Sequence, residues 1–202
     1  MKISKIELQK RNKKRFSIFI DGEFRFGLTA DIIIKYDLKE GDEITEDDIK
    51  NFLLAEEKEH LKQRVFRLLR YRSRSIAEMK ERLMRLGYEP NIVEIVVNEL
   101  IEEGILNDQR FVQEFASDYT ELKPKGNIFI MSELRKKKVD PSLIEETIKN
   151  RDEKSIIRSM LQKKFSNFNK KDPKQKAKII RRLLSRGFTS RAIYEVLGEE
   201  YE

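Results

Sequence analysis

Apolar side chains recur at three- and four-residue spacing along most of the chain, and one such pattern occurs three times. The copies span residues 79–94, 130–145 and 178–193, with Leu83, Leu134 and Leu183 at equivalent positions about 50 residues apart. A repeated apolar pattern of this period is typical of helical repeat arrays. It predicts a mostly α-helical fold of three tandem three-helix repeats, an architecture that presents binding surfaces more often than it encloses a reaction pocket.

Each copy ends at a position suited to a left-handed helix cap. Gly87 and Gly187 occupy this position in the first and third copies, and Gly104 ends a further apolar stripe in the same way. Glycine is favoured there because a residue with a Cβ atom is strained at positive φ. The second copy carries Lys138 instead, so we expect a lysine at positive φ, at a cost of about 1 kcal/mol.

Helix starts are equally distinct in the sequence. Ser75 and Glu78 have the spacing of a capping box, Thr189 suits an N-cap, and Pro141 directly follows a capping Asp140. Together with the apolar stripes, these signals predict three helices in each repeat. The predicted helices cover residues 58–72, 76–86 and 90–103, then 108–122, 127–137 and 141–149, then 152–166, 174–186 and 190–197.

The first 55 residues follow a different pattern. Residues 15–28 alternate apolar and polar side chains around Asp21 and Gly22, which predicts a hairpin with a type I′ turn. Residues 3–8 predict a further strand, and Thr45 suits the N-cap of a helix that follows. We therefore divide the chain into a small β-rich module and three repeats. The predicted boundaries are residues 1–55, 56–106, 107–150 and 151–202, and the last repeat is basic.

Composition excludes several classes of protein. Hydrophobic and charged residues each make up 39% of the chain, as expected of helices with charged outer faces. The sequence has no cysteine and a single histidine, His60, so we expect no disulfide, no metal site and no cofactor. No apolar run is long enough to span a membrane, and the first residues do not resemble a signal peptide. These features predict a cytoplasmic protein that does not associate with membranes.

Positive charge is concentrated in the third repeat. The chain has a net charge of +7, and residues 151–202 contain 14 basic and 7 acidic side chains, whereas the other segments are balanced. Five cations recur at helical spacing in this repeat, and the sequence places Ala177, Ile180, Leu183 and Leu184 on the opposite, core-facing side. The five are Lys174, Lys178, Arg181, Arg182 and Arg186.

A second basic segment precedes the capping box of the first repeat. Residues 62–74 contain six lysine and arginine residues and no acidic one, and Tyr71 lies among them. Basic helix faces are often merely solvated, but two of them in one array favour contact with a phosphate backbone or an acidic protein. The sequence contains no zinc finger, basic zipper or convincing helix-turn-helix, so base-specific reading is not indicated.

The order and spacing of three segments resemble those of the RecX regulatory family. The segments are residues 69–75 (LRYRSRS), residues 106–111 (LNDQRF), and residues 125–139, which begin with KG and end with KKV. The resemblance extends over about residues 58–198, and residues 1–55 are similar to an N-terminal extension of some members. It implies an elongated, curved array of three-helix repeats that binds the RecA filament on single-stranded DNA, lying along the filament groove.

The resemblance also has implications for function and for the contact residues. The resemblance implies a non-enzymatic regulator that modulates, and usually inhibits, filament extension, ATP hydrolysis, strand exchange and coprotease activity. Within the matched segments, the residues expected to contact RecA or DNA are Arg70, Arg72, Arg74, Arg110, Lys125, Arg135, Lys136 and Lys137. The third-repeat cations complete the candidate interface, and we expect a monomer.

Two other functions remain open at this stage. The basic third repeat would suffice for a stand-alone nucleic-acid-binding protein that does not need RecA. A metal-dependent nuclease would need a carboxylate cluster, and Glu102, Glu103 and Asp108 are the acids best placed to form one. These acids flank a helix end, where carboxylates also occur for solubility and for helix capping. The sequence has no phosphate-binding loop or nucleophile motif that would favour an enzyme.

Overall fold

A computed structural model of the chain describes residues 1–165 and 172–198. Within these residues the fold comprises three β-strands followed by ten α-helices, and the predicted class, mostly α with a small N-terminal β-rich module, is confirmed. The strands are β1 (Ile3–Leu8), β2 (Arg15–Ile20) and β3 (Glu23–Thr29). The helices are α1 (Ala30–Lys35), α2 (Glu46–Leu69), α3 (Ile76–Met84), α4 (Pro90–Glu102), α5 (Asp108–Glu121), α6 (Asn127–Lys136), α7 (Pro141–Lys149), α8 (Glu153–Lys164), α9 (Pro173–Leu184) and α10 (Ser190–Leu197).

The strands form an antiparallel sheet in the order β1-β2-β3. Asp21 and Gly22 connect β2 and β3 with φ angles of 49° and 90°, so the predicted hairpin turn is confirmed. One sheet face supplies Ile18 and Leu28 to a core that also contains Phe52 of α2. The small module therefore completes its core with the first turns of α2.

A buried carboxylate ties the sheet to α2. Glu56 is 7% exposed, and its Oε2 accepts hydrogen bonds from the backbone N and the Oγ1 of Thr29 at 2.8 and 2.9 Å. Arg15 Nη2 lies 3.1 Å from the other carboxylate oxygen. Because α2 runs unbroken from residue 46 to residue 69, it crosses the predicted boundary between residues 55 and 56 as a single helix.

The chain divides into two compact units. One contains residues 1–72 and 88–96, and the other contains the rest of the described chain. Three helix triplets follow one another along the sequence as predicted: the C-terminal part of α2 with α3 and α4, then α5 to α7, then α8 to α10. The predicted helix of residues 152–166 corresponds to α8, and residue 166 lies outside the described residues.

The predicted helix caps are present. Gly87, Gly104 and Gly187 have φ angles of 89°, 69° and 78°, and Lys138 has a φ of 54° at the equivalent position of the second repeat. The capping box of Ser75 and Glu78 is complete, with both side chains bonded to backbone N–H groups. Local sequence signals thus fix where these helices begin and end.

The second and third repeats meet at a joint between two glycines. The backbone N of Gly126 donates to Arg186 O, and that of Ile128 donates to Gly187 O, each at 3.0 Å. The approach is so close that a Cβ atom on Gly126 would lie 2.1 Å from Gly187 O and from Phe188 N. Only glycine at residue 126 permits this joint.

Glu153, the first residue of α8, holds the same joint. Its Oε1 accepts from the backbone N of Asn127 at 2.7 Å, and its two oxygens accept from the N and Oγ1 of Thr189 at 3.2 and 2.5 Å. Arg151 lies beside it and donates to the carbonyls of Tyr119 and Lys125 at 3.0 and 2.6 Å. These bonds link α6, α8 and α10 at one point.

An equivalent joint lies between α3 and the second repeat. Ser75 Oγ donates to Lys137 O at 2.7 Å, and the backbone N of Ile76 donates to Asp108 Oδ1 at 2.8 Å. Asp108, like Glu153, is the first residue of its helix. In both joints, therefore, the acid that begins one repeat accepts a hydrogen bond from a backbone N–H at the start of the second helix of the preceding repeat.

Candidate nucleic-acid interface

The most basic element of the described chain is α9. Asp172 caps it by accepting from the backbone N of Lys174 and of Gln175, and Pro173 occupies its first turn. The helix contains five basic residues and no acidic one. Four exposed cations form a surface that we call the α9 ridge; they are Lys174, Lys178, Arg181 and Arg182.

The core-facing side of α9 differs in part from the sequence prediction. Ile179 and Leu183 are 4% and 0% exposed, whereas Leu184 is 43% exposed and Ala177 is also exposed. The prediction was wrong for Ala177 and Leu184 because consecutive apolar residues at 179–180 and 183–184 allow two helical phases. The observed phase places the buried side opposite the ridge.

The charge that the ridge can offer depends on whether its cations are paired. In the part of the chain that the structure describes, no carboxylate is paired with any of the four. The Arg182 guanidinium lies 5.0 Å from the centre of the Phe165 ring, an interaction that orients the group without neutralising it. The ridge can therefore contribute its full positive charge to a bound polyanion.

Arg186, the fifth predicted cation, lies elsewhere. Its Nη1 donates to Pro124 O at 3.1 Å, and its own carbonyl accepts from Gly126. The side chain is half-buried at the joint of the second and third repeats. Its position is thus explained by that joint, and we do not count it in the ridge.

The candidate cations of the second repeat are mostly engaged within the protein. Lys137 Nζ lies 2.8 Å from Glu78 Oε1, with both side chains about one fifth exposed. Lys136 Nζ lies 2.6 Å from Glu133 Oε1, and Lys125 Nζ lies 4.4 Å from the centre of the Phe129 ring. Carboxylates therefore partly neutralise Lys136 and Lys137, whereas the ring beside Lys125 orients its charge without neutralising it.

The remaining second-repeat candidates are exposed. Arg110 donates to Ile105 O at 2.9 Å and lies 4.0 Å from Glu114, so it also supports its own helix. Arg135 is exposed on the last turn of α6. Of the second-repeat candidates, Arg135 is the one whose surroundings most resemble those of the α9 ridge.

Asp108 has a structural role that the sequence did not reveal. Burial raises the pKa of its carboxyl group above the usual value; the hydrogen bond from Ile76 lowers it, and the charge of Glu78 raises it again. Glu102 and Glu103, the other two acids considered for a nuclease, are exposed at the end of α4. Across the described ranges, no group of three or more histidine, aspartate or glutamate side chains is arranged to hold a metal ion.

The basic segment before the first capping box begins at the end of α2. Arg70 is the C-cap residue of α2 and is exposed, as is Arg72. Tyr71 between them is 87% exposed. Arg74 is half-buried, and both Arg72 and Arg74 interact with other groups of the protein.

Three residues that support or extend the candidate interface were not predicted from the sequence. Glu153 and Arg151 organise the joint beside α9. The only sequence signal for this role was that Glu153, like Asp108, is an acid at the start of a helix. Phe66 of α2 is 43% exposed, although an apolar pattern predicts burial for phenylalanine.

Within residues 1–165 and 172–198, no helix combines the length and apolar content that a membrane span requires.

The fold and the exposed ridge define a tandem three-helix repeat protein with a small N-terminal sheet and a strongly cationic helix. Comparison with known families gives the same organisation. Four family models match in succession: the regulatory protein RecX N-terminal domain at residues 1–45, and the first, second and third three-helix domains of RecX at residues 62–100, 107–148 and 152–197.

Individual relatives agree with this match. The chain is 32% identical over 206 residues to the regulatory protein RecX of Bacillus velezensis and 30% identical over 208 residues to that of Bacillus subtilis; each alignment covers 99% of this chain and 78% of the relative. A crystal structure of a regulatory protein RecX has the same fold, with a TM-score of 0.74 and 23% identity over 98% of this chain and 99% of the other. The chain belongs to the RecX family.

Proposed function

We propose that this protein is a non-enzymatic regulator of RecA that binds the RecA filament on single-stranded DNA. Its relatives are named as regulatory proteins, and the resemblance to the RecX family implies RecA as the partner. The observation that carries the proposal is the α9 ridge, whose four exposed cations have no carboxylate partner among the described residues. Such a surface suits the phosphate backbone of a nucleoprotein filament better than an uncharged partner.

In the proposed mechanism this protein acts by binding and catalyses no reaction itself. A chain of repeats that contacts several neighbouring RecA subunits gains affinity from each contact, and it occupies surface that incoming duplex or other substrates of the filament would use. Binding at a growing end would block the addition of subunits there. Both effects would lower filament extension, ATP hydrolysis, strand exchange and coprotease activity.

The proposal is tested by adding the protein to RecA on single-stranded DNA and following ATP hydrolysis and filament length. We expect hydrolysis to slow and filaments to shorten, and we expect glutamine at the four ridge positions to reduce both effects. A matched control neutralises four exposed cations outside the candidate interface that likewise have no carboxylate partner among the described residues; they are Lys35, Arg82, Lys123 and Lys149. If the unmodified protein leaves RecA unaffected, or if ridge and control variants behave alike, the proposal or its site is wrong.

A stand-alone nucleic-acid-binding function is the second candidate, because the α9 ridge would suffice for it. The two functions differ in what they predict for bare DNA. A RecA regulator should bind the RecA-coated strand more tightly than the bare strand at the same salt concentration. Equal affinity for the two would favour the stand-alone function.

A further inference from the structure

The last turn of α2 and the two residues after it expose aromatic and basic side chains close together along the chain. Phe66, Arg67 and Arg70 lie within one turn of one another along the helix and are all exposed, and Tyr71 follows directly. Phe66 and Tyr71 are 43% and 87% exposed. We call these four residues the α2 end face.

The exposed rings are not needed by the core of α2. The buried side of the same turns is supplied by Leu61, Val65 and Leu68, which are 0%, 0% and 8% exposed. A single exposed apolar residue is unremarkable, but two aromatic residues within six positions, one almost fully exposed, indicate a surface that is covered by a partner.

The charge of the α2 end face identifies the chemistry of that partner. Residues 61–77 contain no acidic side chain, and in the described chain neither Arg67 nor Arg70 has a carboxylate partner. Aromatic rings interleaved with unpaired cations are the arrangement by which proteins hold single-stranded nucleic acid: the rings stack on unpaired bases and the cations contact phosphates. A duplex keeps its bases stacked on one another, and so cannot offer their faces to the rings.

We propose that the α2 end face binds single-stranded nucleic acid, with Phe66 and Tyr71 stacking on unpaired bases and Arg67 and Arg70 contacting phosphates. This inference extends the proposed function. It rests on that function only in taking a nucleic-acid single strand as the natural ligand. Stacking is indifferent to base identity because every base has a π face. The face would therefore add affinity for unpaired bases, which the phosphate contacts of α9 do not recognise.

A single-tryptophan variant tests the proposal without RecA. The chain has no tryptophan, so Tyr71→Trp supplies a unique fluorophore at an exposed position that the fold does not depend on. Two probes of equal length are titrated: oligothymidylate, and an abasic deoxyribose-phosphate oligomer. Stacking should quench the tryptophan with the first probe and leave it bright with the second.

Affinity measurements separate stacking from charge. Phe66→Ala and Tyr71→Ala should each weaken binding to oligothymidylate by about 5- to 150-fold, and should leave binding to the abasic oligomer unchanged. Their salt dependence should match that of the parent, whereas Arg67→Gln with Arg70→Gln should lower the slope by about 0.7 per charge removed. Leu122→Ala, at another exposed apolar position (74% exposed), is the matched control and should bind as the parent does.

The possible outcomes are distinct. If Tyr71→Trp binds oligothymidylate without quenching, or if both alanine variants bind it as tightly as the parent, the stacking proposal is overturned. If those variants bind DNA normally but no longer act on RecA, the face contacts the protein partner instead, which also overturns it. Because bare oligonucleotides are used, stacking can be supported even if the RecA assay fails, so the two proposals are tested separately.

Discussion

The strain at Lys138 makes the sharpest stability prediction for this protein. Lys138 has a φ of 54° at a position where the other helix caps have glycine, and its backbone N donates to Arg135 O at 2.9 Å in the cap. A residue with a Cβ atom in this conformation costs about 1 kcal/mol more than glycine. We therefore expect Lys138→Gly to raise the free energy of unfolding.

The same substitution also removes an ion pair. Lys138 Nζ lies 2.5 Å from Glu81 Oε1, and the two side chains are 67% and 38% exposed. The hydrogen bond and charge of Lys138 lower the pKa of Glu81, so any stabilisation from this pair is present near neutral pH and is lost as the pH falls through that lowered pKa. Pairs this exposed contribute little to stability, so relief of the backbone strain should dominate.

Lys138→Ala is the matched control, because it removes the ion pair and keeps the strain. Urea and thermal unfolding at neutral pH should show Lys138→Gly about 1 kcal/mol more stable than Lys138→Ala, which corresponds to about 2–4 °C in a protein of this size. Glu81→Gln removes this pair and also the pair of Glu81 with Arg85 Nη2 at 3.4 Å, so it should be no more stable than Lys138→Ala, with a small difference because both pairs are exposed. Equal stability of the glycine and alanine variants would refute the argument from strain.

Three further predictions concern the joints and the ridge. Gly126→Ala should destabilise the fold by about 3 kcal/mol or more in thermal unfolding, because its Cβ would lie 2.1 Å from backbone atoms of Gly187 and Phe188. Burial raises the pKa of Asp108, so the stabilisation that its protonated form gives is present at acid pH and is lost as the pH rises through that raised pKa. Asp108→Asn should therefore be at least as stable as the parent at neutral pH and should lose this advantage on acidification. Glutamine at the four α9 ridge positions should lower the salt dependence of single-stranded DNA binding by about 0.7 per residue, or about 3 in total.

Each of these has a clear contrary result. A Gly126→Ala variant as stable as the parent would show that the joint can open at no cost. An advantage of Asp108→Asn that grows on acidification would mean that the carboxylate is favoured in the folded state. An unchanged salt slope would remove the α9 ridge from the nucleic-acid interface, whatever the effect on RecA.

The features predicted correctly from the sequence are those set by a few neighbouring residues. The Asp21-Gly22 turn, the capping box of Ser75 and Glu78, and the positive φ of Lys138 follow from conformations that only certain residues tolerate. Helix ends could therefore be placed to within a few residues. The concentration of cations in α9 and their exposure on one side also follow from composition and helical spacing.

The features that were missed depend on residues far apart in the chain. Lys137 and Glu78 are 59 residues apart, and no local pattern indicates that their charges compensate each other. The core side of α9 was misassigned at Ala177 because neighbouring apolar pairs fit two helical phases. The lone acid at the start of α8, Glu153, resembles any capping carboxylate until its bond to Thr189, 36 residues away, is seen.

The two joints explain why the second repeat can depart from glycine at residue 138. In the joint of α3 with the second repeat, the contact is made by a side chain, Ser75 Oγ, to the carbonyl of Lys137, and this leaves room for a Cβ atom on the next residue. In the joint of α6 with the third repeat, the backbone of Gly126 itself makes the contact, and a Cβ on Gly187 would lie 2.6 Å from the Cβ and N of Phe129. The residue at each N-cap therefore determines which residues the facing helix cap can accept: serine at the first joint allows a strained lysine, whereas glycine at the second requires a second glycine.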